Sequence, residues 1–174
     1  MGRDTRQPLR SCCLSVYRRS YSPPCLSLIR AHNMTTAPHS APRKLLLVSA
    51  VALINENRHV LLAQRPEGKS LAGLWEFPGG KTEPGESPEA TLIREVDEEL
   101  GLHISADNIT PLTFASHSYA DFDLLMPLYL CRTWQGIPHG REGQNIAWVP
   151  LTDLYDYPMP PADLPLIPFL QKFV

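Results

Sequence analysis

Three glutamates at helical spacing are the first residues of this chain that could do chemistry. Glu95, Glu98 and Glu99 stand at positions i, i+3 and i+4, and would therefore share one face of a helix. Crowded carboxylates repel one another unless a cation joins them, and oxygen ligands at this density suit Mg²⁺ or Mn²⁺. The alternative is a solvated acidic helix face, which is common in proteins. The three residues alone leave both interpretations open.

The residues around these glutamates predict the helix that would position them. Ser87 is suited to be the N-cap, and Gly101 stands where a helix would end in the left-handed conformation. Leu92, Val96 and Leu100 recur every four residues, so they form an apolar stripe that faces a core. The carboxylates would then lie on the opposite side.

A longer pattern joins this helix to the glycine-rich loop before it. Gly80 is followed after five residues by Glu86, then after seven by Arg94-Glu95-Val96, Glu98-Glu99 and Gly101-Leu102. This spacing matches the Nudix box at every specified position, which is a long and specific signature. The chain therefore resembles Nudix hydrolases, a family that cleaves nucleoside diphosphates linked to another group.

Strand-like segments lie on both sides of the helix in the sequence. The predicted strands are 45–54, 58–64, 74–78, 109–119, 124–134 and 145–149, and short helices are expected near 152–155 and 165–173. This order favours an α/β fold in which a mixed sheet packs between helices, an α/β/α sandwich. The resemblance to Nudix hydrolases implies the same fold.

Composition divides the chain near residue 43. Residues 1–43 hold seven of the 16 basic residues and one of the 18 acidic residues, so 44–174 keep nine and 17, a net charge of −8. The first segment has no apolar period, and we interpret it as a leader that is dispensable for folding. It could instead be a mitochondrial transit peptide, or sequence upstream of a start at Met34. Residues 44–174 suffice for one domain.

Several classes of partner are not expected. No apolar run approaches the ~18 residues of a membrane span. The acidic domain lacks the basic face of a nucleic-acid binder. Cys131 is the single cysteine after residue 43, so no disulfide framework or zinc site is predicted, which fits a reducing compartment. We expect a cytoplasmic monomer, or a mitochondrial one if residues 1–33 are a transit peptide.

Within the Nudix family the chain resembles the MutT group, which hydrolyses 8-oxo-dGTP to the monophosphate and pyrophosphate. The likeness spans residues 44–174 and is carried by the segments 64–65, 74–81, 140–144 and 160–165. It implies a metal-dependent nucleoside triphosphate pyrophosphohydrolase with a role in nucleotide pool sanitation. The alternatives are a broader deoxynucleotide or pyrimidine nucleotide pyrophosphatase and a Nudix-fold binding module without catalysis.

The resemblance also implies site residues. Arg65 would contact the sugar–phosphate part of the substrate, and the segment of Glu76, Phe77, Pro78 and Gly79 would pass under the base. The metal ligands would be Glu98, Glu99, the Gly79 carbonyl and Glu142, with Glu95 as a further ligand or as the base.

The residue types themselves suggest how the reaction would proceed. The negative charge of a triphosphate repels an attacking nucleophile, so the phosphate charge must be neutralised and the attacking water deprotonated. A divalent metal serves both needs, and a nearby carboxylate accepts the proton. Arg94 would hold glutamates in register through paired hydrogen bonds, and Glu86 can reach the same cluster. Glycines at 79 and 80 would let the backbone approach the substrate closely.

One residue departs from the MutT pattern. Where that group carries an asparagine that reads the oxidised guanine, this chain has Asp163. An ionised Asp only accepts hydrogen bonds, so it could pair with the N1–H and amine of a guanine-type edge, and with O6 only if protonated. The alternative is that Asp163 caps the last helix ahead of Pro165.

Overall fold

The structure is a computed structural model that describes residues 42–174. The interpretation of residues 1–43 as a leader therefore falls almost wholly outside the described residues and stays a prediction. Within 42–174, no helix has both the length and the apolar character needed to cross a membrane.

Seven strands and two α-helices make up the described chain. The strands are β1 (Lys44–Leu53), β2 (His59–Gln64), β3 (Trp75–Glu76), β4 (Gly79–Lys81), β5 (Ile109–Ser118), β6 (Phe122–Cys131) and β7 (Ile146–Pro150). The α-helices are α1 (Pro88–Leu100) and α2 (Ile167–Phe173), and 3-10 turns cover Ala106–Asn108, Leu151–Asp156 and Leu164–Leu166.

The strands form two sheets. The first has the order β4-β1-β6-β5; β1 and β6 run parallel and the other pairs antiparallel, so this sheet is mixed. The second is antiparallel with the order β3-β2-β7. Alternate residues of β1 enter two separate apolar clusters, because successive side chains point to opposite faces of a strand. One cluster includes the apolar stripe of α1 and the other includes α2, which confirms the α/β/α layout.

Helix α1 begins and ends where the sequence predicts. The Ser87 hydroxyl accepts a hydrogen bond from the Ala90 N–H at 3.2 Å, and Gly101 ends the helix at φ 67°. Leu92, Val96 and Leu100 are fully buried. The two caps fix the limits of the helix, and the buried stripe fixes its orientation, so that the glutamates lie on the side away from the stripe.

The first three residues of the predicted glycine-rich loop form the strand β4, and the residues from 82 to 87 stay outside helices and strands. Residues of β4 pair with β1, and Gly79 (φ +148°) lies so close that a Cβ there would meet the Ser49 carbonyl oxygen at 2.1 Å. A Cβ on Gly80 would lie 2.2 Å from the Glu95 carboxylate. The two glycines thus make room for the neighbouring strand and for a glutamate of α1. A close approach of their backbone to the substrate stays a prediction.

A chain that begins at Met34 is expected to match the full chain in melting temperature and turnover. The described fold begins with Arg43, whose guanidinium lies 3.1 Å from the Asp123 carboxylate, and this contact survives the truncation. Thermal melts and steady-state kinetics of both chains test the point. A large loss in either quantity would show that residues 1–33 contribute to the domain.

Candidate active site

Arg94 gathers three glutamates, of which Glu95 and Glu98 belong to α1 and Glu86 to the loop before it. Its Nε and Nη2 donate to the two oxygens of Glu86 at 2.8 and 2.9 Å, and its Nη1 donates to Glu95 at 2.8 Å and to Glu98 at 3.1 Å. Hydrogen bonds from Arg94 and from the Glu83 N–H lower the pKa of Glu86 to about 2. These contacts are those of a residue that holds carboxylates in register, as the sequence suggested for Arg94.

A cavity of about 80 Å³ lies beside this group. It is lined in part by Arg65, Lys69, Glu76, Gly79, Glu99 and Glu142. Glu99 extends from the last turn of α1 and accepts a long hydrogen bond, 3.4 Å, from the Gly79 N–H. Burial, followed by the charges of Glu95 and Glu76, raises the pKa of Glu99 to about 8.

Two ion pairs border the cavity. Arg65 Nη1 lies 2.6 and 2.9 Å from the carboxylate oxygens of Glu76, and its Nε donates to the Ser70 carbonyl at 2.6 Å. Lys69 Nζ lies 2.5 Å from Glu142 Oε2. Burial raises the pKa of Glu76, and Arg65 opposes that shift.

The loop that carries Glu142 is tied to the end of α1 by Gln144. The Gln144 side-chain oxygen accepts from the Glu142 N–H at 2.8 Å, and its amide nitrogen donates to the Glu99 carbonyl at 2.9 Å. The Arg141 N–H donates to the same Glu99 carbonyl at 2.9 Å. Glu142, far along the chain, thereby lines the same cavity as Glu99. Its role as a metal ligand, which the resemblance implies, stays a prediction.

Asp163 is buried and does not cap a helix. It is 4% exposed, and its side chain makes no capping hydrogen bond at the turn that follows it. Instead Oδ1 accepts from the Phe77 N–H at 3.3 Å. Burial, followed by the charge of Glu76, raises the pKa of Asp163 to about 7. The capping alternative is therefore wrong, and the carboxyl stands next to the segment that was expected to pass under the base.

That segment divides between the core and the cavity. The Phe77 side chain is 3% exposed and belongs to a core cluster, and the Pro78 carbonyl accepts from the Val51 N–H at 2.9 Å. Glu76 and Gly79 line the cavity. Substrate contacts by Phe77 and Pro78 stay predictions, and their backbone is already engaged in holding Asp163 and β1.

Comparison with known proteins places this architecture in a family. A family model described as the NUDIX domain matches residues 49–168. The chain belongs to the NUDIX domain family. The matched range contains α1 with its glutamates, the cavity residues and Asp163.

Several characterised relatives of this Nudix protein share most of its length. It is 34% identical over 134 residues to the 8-oxo-dGTP diphosphatase of Escherichia coli (strain K12), a match that covers 74% of this chain and 98% of that protein. It is 39% identical over 125 residues to the 8-oxo-dGTP diphosphatase of Haemophilus influenzae, covering 72% and 90%. It is 36% identical over 118 residues to the CTP pyrophosphohydrolase of Escherichia coli, covering 67% and 84%.

Solved structures agree with the described fold. A MutT structure from a study of Aliivibrio salmonicida and Vibrio cholerae is 32% identical with a TM-score of 0.63, over 75% of this chain and 100% of that one. The Escherichia coli ORF135 protein is 30% identical with a TM-score of 0.66, over 75% of this chain and 91% of that one.

Nudix hydrolases generally depend on a divalent metal, and the residues of this chain fit one with a rearrangement. Across residues 42–174, no three Asp, Glu, His or Cys side chains converge into a preformed metal site. The reason is that Glu95 and Glu98 turn toward Arg94, and Glu142 toward Lys69. Glu99, however, is half-buried, the charge of Glu95 contributes to its raised pKa, and it forms no salt bridge among these residues. Carboxylate oxygens placed this close to a second carboxylate suit a hard cation.

Two residues of the site were missed at the sequence level. Lys69 lies in a predicted loop with no periodic or charge signal, and its partner Glu142 is 73 residues away. Gln144 belongs to the segment that resembles MutT, but its double hydrogen bond becomes visible only when the loop and the end of α1 meet.

Proposed function

We propose that this Nudix protein hydrolyses 8-oxo-dGTP to 8-oxo-dGMP and pyrophosphate with Mg²⁺, for which Mn²⁺ can substitute. The observation that carries the proposal is the match to an 8-oxo-dGTP diphosphatase over 98% of that relative's length. Two groups of carboxylates support it: Glu76, Glu99 and Glu142 line the cavity, and Glu86, Glu95 and Glu98 contact Arg94. The biological role would be to remove oxidised guanine nucleotides before they enter DNA.

The residues that would hold the cation are Gly79, through its carbonyl, Glu95, Glu98, Glu99 and Glu142. When bound, such a cation neutralises phosphate charge and lowers the pKa of a water molecule. Glu99 is the member of this set that no basic side chain holds elsewhere: it is half-buried in the last turn of α1 and accepts a hydrogen bond from the Gly79 N–H. Glu98 is 56% exposed and is restrained by Arg94 alone among the described residues, so it can turn toward the cavity.

The remaining residues of the site would position the substrate and the catalytic carboxylates and would deprotonate the attacking water. In the proposal a Glu95 carboxylate oxygen accepts the proton of the attacking water. Arg94, anchored on Glu86 by two hydrogen bonds, keeps Glu95 from swinging away from α1. Arg65 contacts the sugar–phosphate part of the substrate, and its pairing with Glu76 fixes the direction of its guanidinium.

Asp163 would read the base. Its carboxyl is buried 3.3 Å from the Phe77 N–H, and its pKa of about 7 means that protonated and ionised forms both exist near neutral pH. The ionised form accepts hydrogen bonds from N1–H and an exocyclic amine, and the protonated form can also donate to O6. Guanine-type recognition is therefore compatible with Asp163.

A second candidate is CTP or a broader range of pyrimidine nucleotides. The 36% identity to a CTP pyrophosphohydrolase favours it, and so does the departure from asparagine at Asp163. A binding module without catalysis is disfavoured, because Glu86, Glu95, Glu98 and Glu99 are all present and lie together. In either enzyme the partner is a small nucleoside triphosphate and not a nucleic acid, and we propose a monomer in the cytoplasm, or in the mitochondrion if residues 1–33 are a transit peptide.

Turnover of 8-oxo-dGTP is expected to require Mg²⁺ or Mn²⁺ and to yield 8-oxo-dGMP and pyrophosphate in equal amounts. The purified protein is incubated with 8-oxo-dGTP, dGTP, CTP and dCTP, and both products are quantified with metal and with excess chelator. Full turnover in chelator would overturn the metal requirement. Release of phosphate instead of pyrophosphate would overturn the reaction type.

A further inference from the structure

The loop between β2 and β3 carries one basic side chain over the cavity. The loop is closed at its base by hydrogen bonds from the Arg65 N–H to the Leu74 carbonyl and from the Gly73 N–H to the Arg65 carbonyl, both 2.9 Å. Residues 68–73 between them are exposed. Lys69, near the middle of this exposed stretch, lines the cavity.

Lys69 crosses the cavity to a single carboxylate. Its ammonium lies 2.5 Å from Glu142 Oε2, with side chains 52% and 43% exposed. The backbones of both partners are restrained, Glu142 through Gln144 and the Lys69 loop through the hydrogen bond from Arg65 to the Ser70 carbonyl. The ammonium, however, ends a long and half-exposed side chain, so separation of the pair would move the lysine side chain and needs no movement of either loop.

The charges around the cavity explain why this pair matters. Three carboxylates line the cavity; Glu76 is balanced by Arg65 and Glu142 by Lys69, which leaves Glu99 as the one of the three without a salt bridge among the described residues. A polyphosphate entering beside these carboxylates would be repelled by those that are ionised. A cation shared by Glu99 and Glu142 would offset the repulsion, but the ammonium on Glu142 Oε2 competes with it for that carboxylate.

We propose that Lys69 stands in for the cation on Glu142 in the substrate-free protein and binds the substrate's polyphosphate once a divalent cation takes its place. The ammonium is then a phosphate-binding group that becomes available only after the metal has bound. This inference rests on the proposed function, since it needs a polyphosphate substrate and a cation held by Glu142.

The exchange has two consequences of opposite sign. Removal of the ammonium frees Glu142, so the substrate-free protein should bind the cation more tightly. The same change removes a contact to phosphate, so the substrate should bind less tightly. A salt bridge that only tethers the two loops would produce neither effect in this combination.

The first readout is Mn²⁺ binding to the substrate-free protein, measured by electron paramagnetic resonance of free Mn²⁺ at constant ionic strength. Lys69→Met keeps the aliphatic stem without the charge and should bind Mn²⁺ about two- to fivefold more tightly, the range expected from an exposed ion pair. Lys69→Arg should stay near the wild type. Lys44→Met, an exposed lysine that does not line the cavity, serves as the matched control.

A double substitution identifies the competing carboxylate. In the Glu142→Gln background, Lys69→Met should no longer change Mn²⁺ affinity, because the site of competition is gone. Unchanged or weaker Mn²⁺ binding by Lys69→Met alone, or an equal gain in both backgrounds, overturns the proposal.

The second readout is steady-state kinetics at saturating Mg²⁺. Lys69→Met should raise KM for the triphosphate about tenfold with a smaller effect on kcat, as expected for the loss of a charged contact to phosphate. Lys69→Arg keeps the charge, so its KM should stay near the wild-type value. An unchanged KM overturns the phosphate role. The Mn²⁺ measurement needs no turnover, so a protein that shows the Mn²⁺ shift but hydrolyses no triphosphate refutes the proposed function and not the exchange.

Discussion

Replacement of Glu98 by glutamine is expected to lower kcat/KM for 8-oxo-dGTP about a hundredfold or more. Loss of a group that merely supports a metal ligand costs roughly 10–100-fold, and loss of an ionised ligand should cost at least as much. The fold should survive, because Glu98 is largely exposed and its contact with Arg94 is a single hydrogen bond. Steady-state kinetics, thermal melts and Mn²⁺ titration of the variant together test the assignment.

Glu56→Gln is the matched control for that variant. Glu56 is an exposed glutamate in the turn between β1 and β2, so the same chemical change there should leave turnover and metal affinity unaltered. A Glu98→Gln protein with wild-type turnover would contradict the role of Glu98 as a ligand. A variant that is inactive because it has unfolded would be recognised by its melting curve.

Asp163→Asn is expected to change the ratio of kcat/KM between 8-oxo-dGTP and dGTP by about ten- to a hundredfold. A hydrogen bond with a charged partner is worth roughly 1.5–3 kcal/mol, which corresponds to that range. Asn keeps an oxygen that can accept from the Phe77 N–H, so the segment under the base should stay in place, and the metal requirement should change little. Asp163→Ala should weaken both discrimination and binding.

The pH dependence of stability provides an independent readout for Asp163. Its pKa is about 7 in the folded protein against an ordinary 3.8, so the folded state holds the proton more tightly. The resulting stabilisation is fully present below about pH 4 and is lost as pH rises to about 7, by at most about 1.4 kcal/mol per pH unit. The melting temperature of the wild type relative to Asp163→Asn should therefore fall between pH 4 and pH 8. A constant difference, together with an unaltered substrate ratio in both variants, would contradict the account of Asp163.

The parts of the site that depend on local sequence could be predicted. Helix α1 has its cap, its apolar stripe and its glycine stop within fifteen residues, so Ser87 to Gly101 specify both its limits and its direction. The same periodicity places Glu95, Glu98 and Glu99 on the side of α1 that faces away from the apolar stripe.

The parts of the site that depend on contacts between distant residues could not be predicted from the sequence. Gly79 reads as a loop residue until β1 is available to pair with it. The partners Asp163 and Phe77 are 86 residues apart, so no local pattern shows that the Asp163 carboxyl contacts a distant backbone N–H instead of capping the helix that follows it. Lys69 became a site residue only once the structure showed its contact with the Glu142 carboxylate on another loop.

We expect this Nudix protein to prefer an oxidised guanine triphosphate over dGTP and CTP. A competition in which 8-oxo-dGTP, dGTP and CTP are present together at equal concentration with Mg²⁺ tests this preference, because the relative rates of disappearance give the kcat/KM ratios in a single reaction. The 8-oxo-dGTP should be consumed first, with 8-oxo-dGMP and pyrophosphate as products. Consumption of CTP ahead of 8-oxo-dGTP, or no consumption of any of the three, would refute the proposed function.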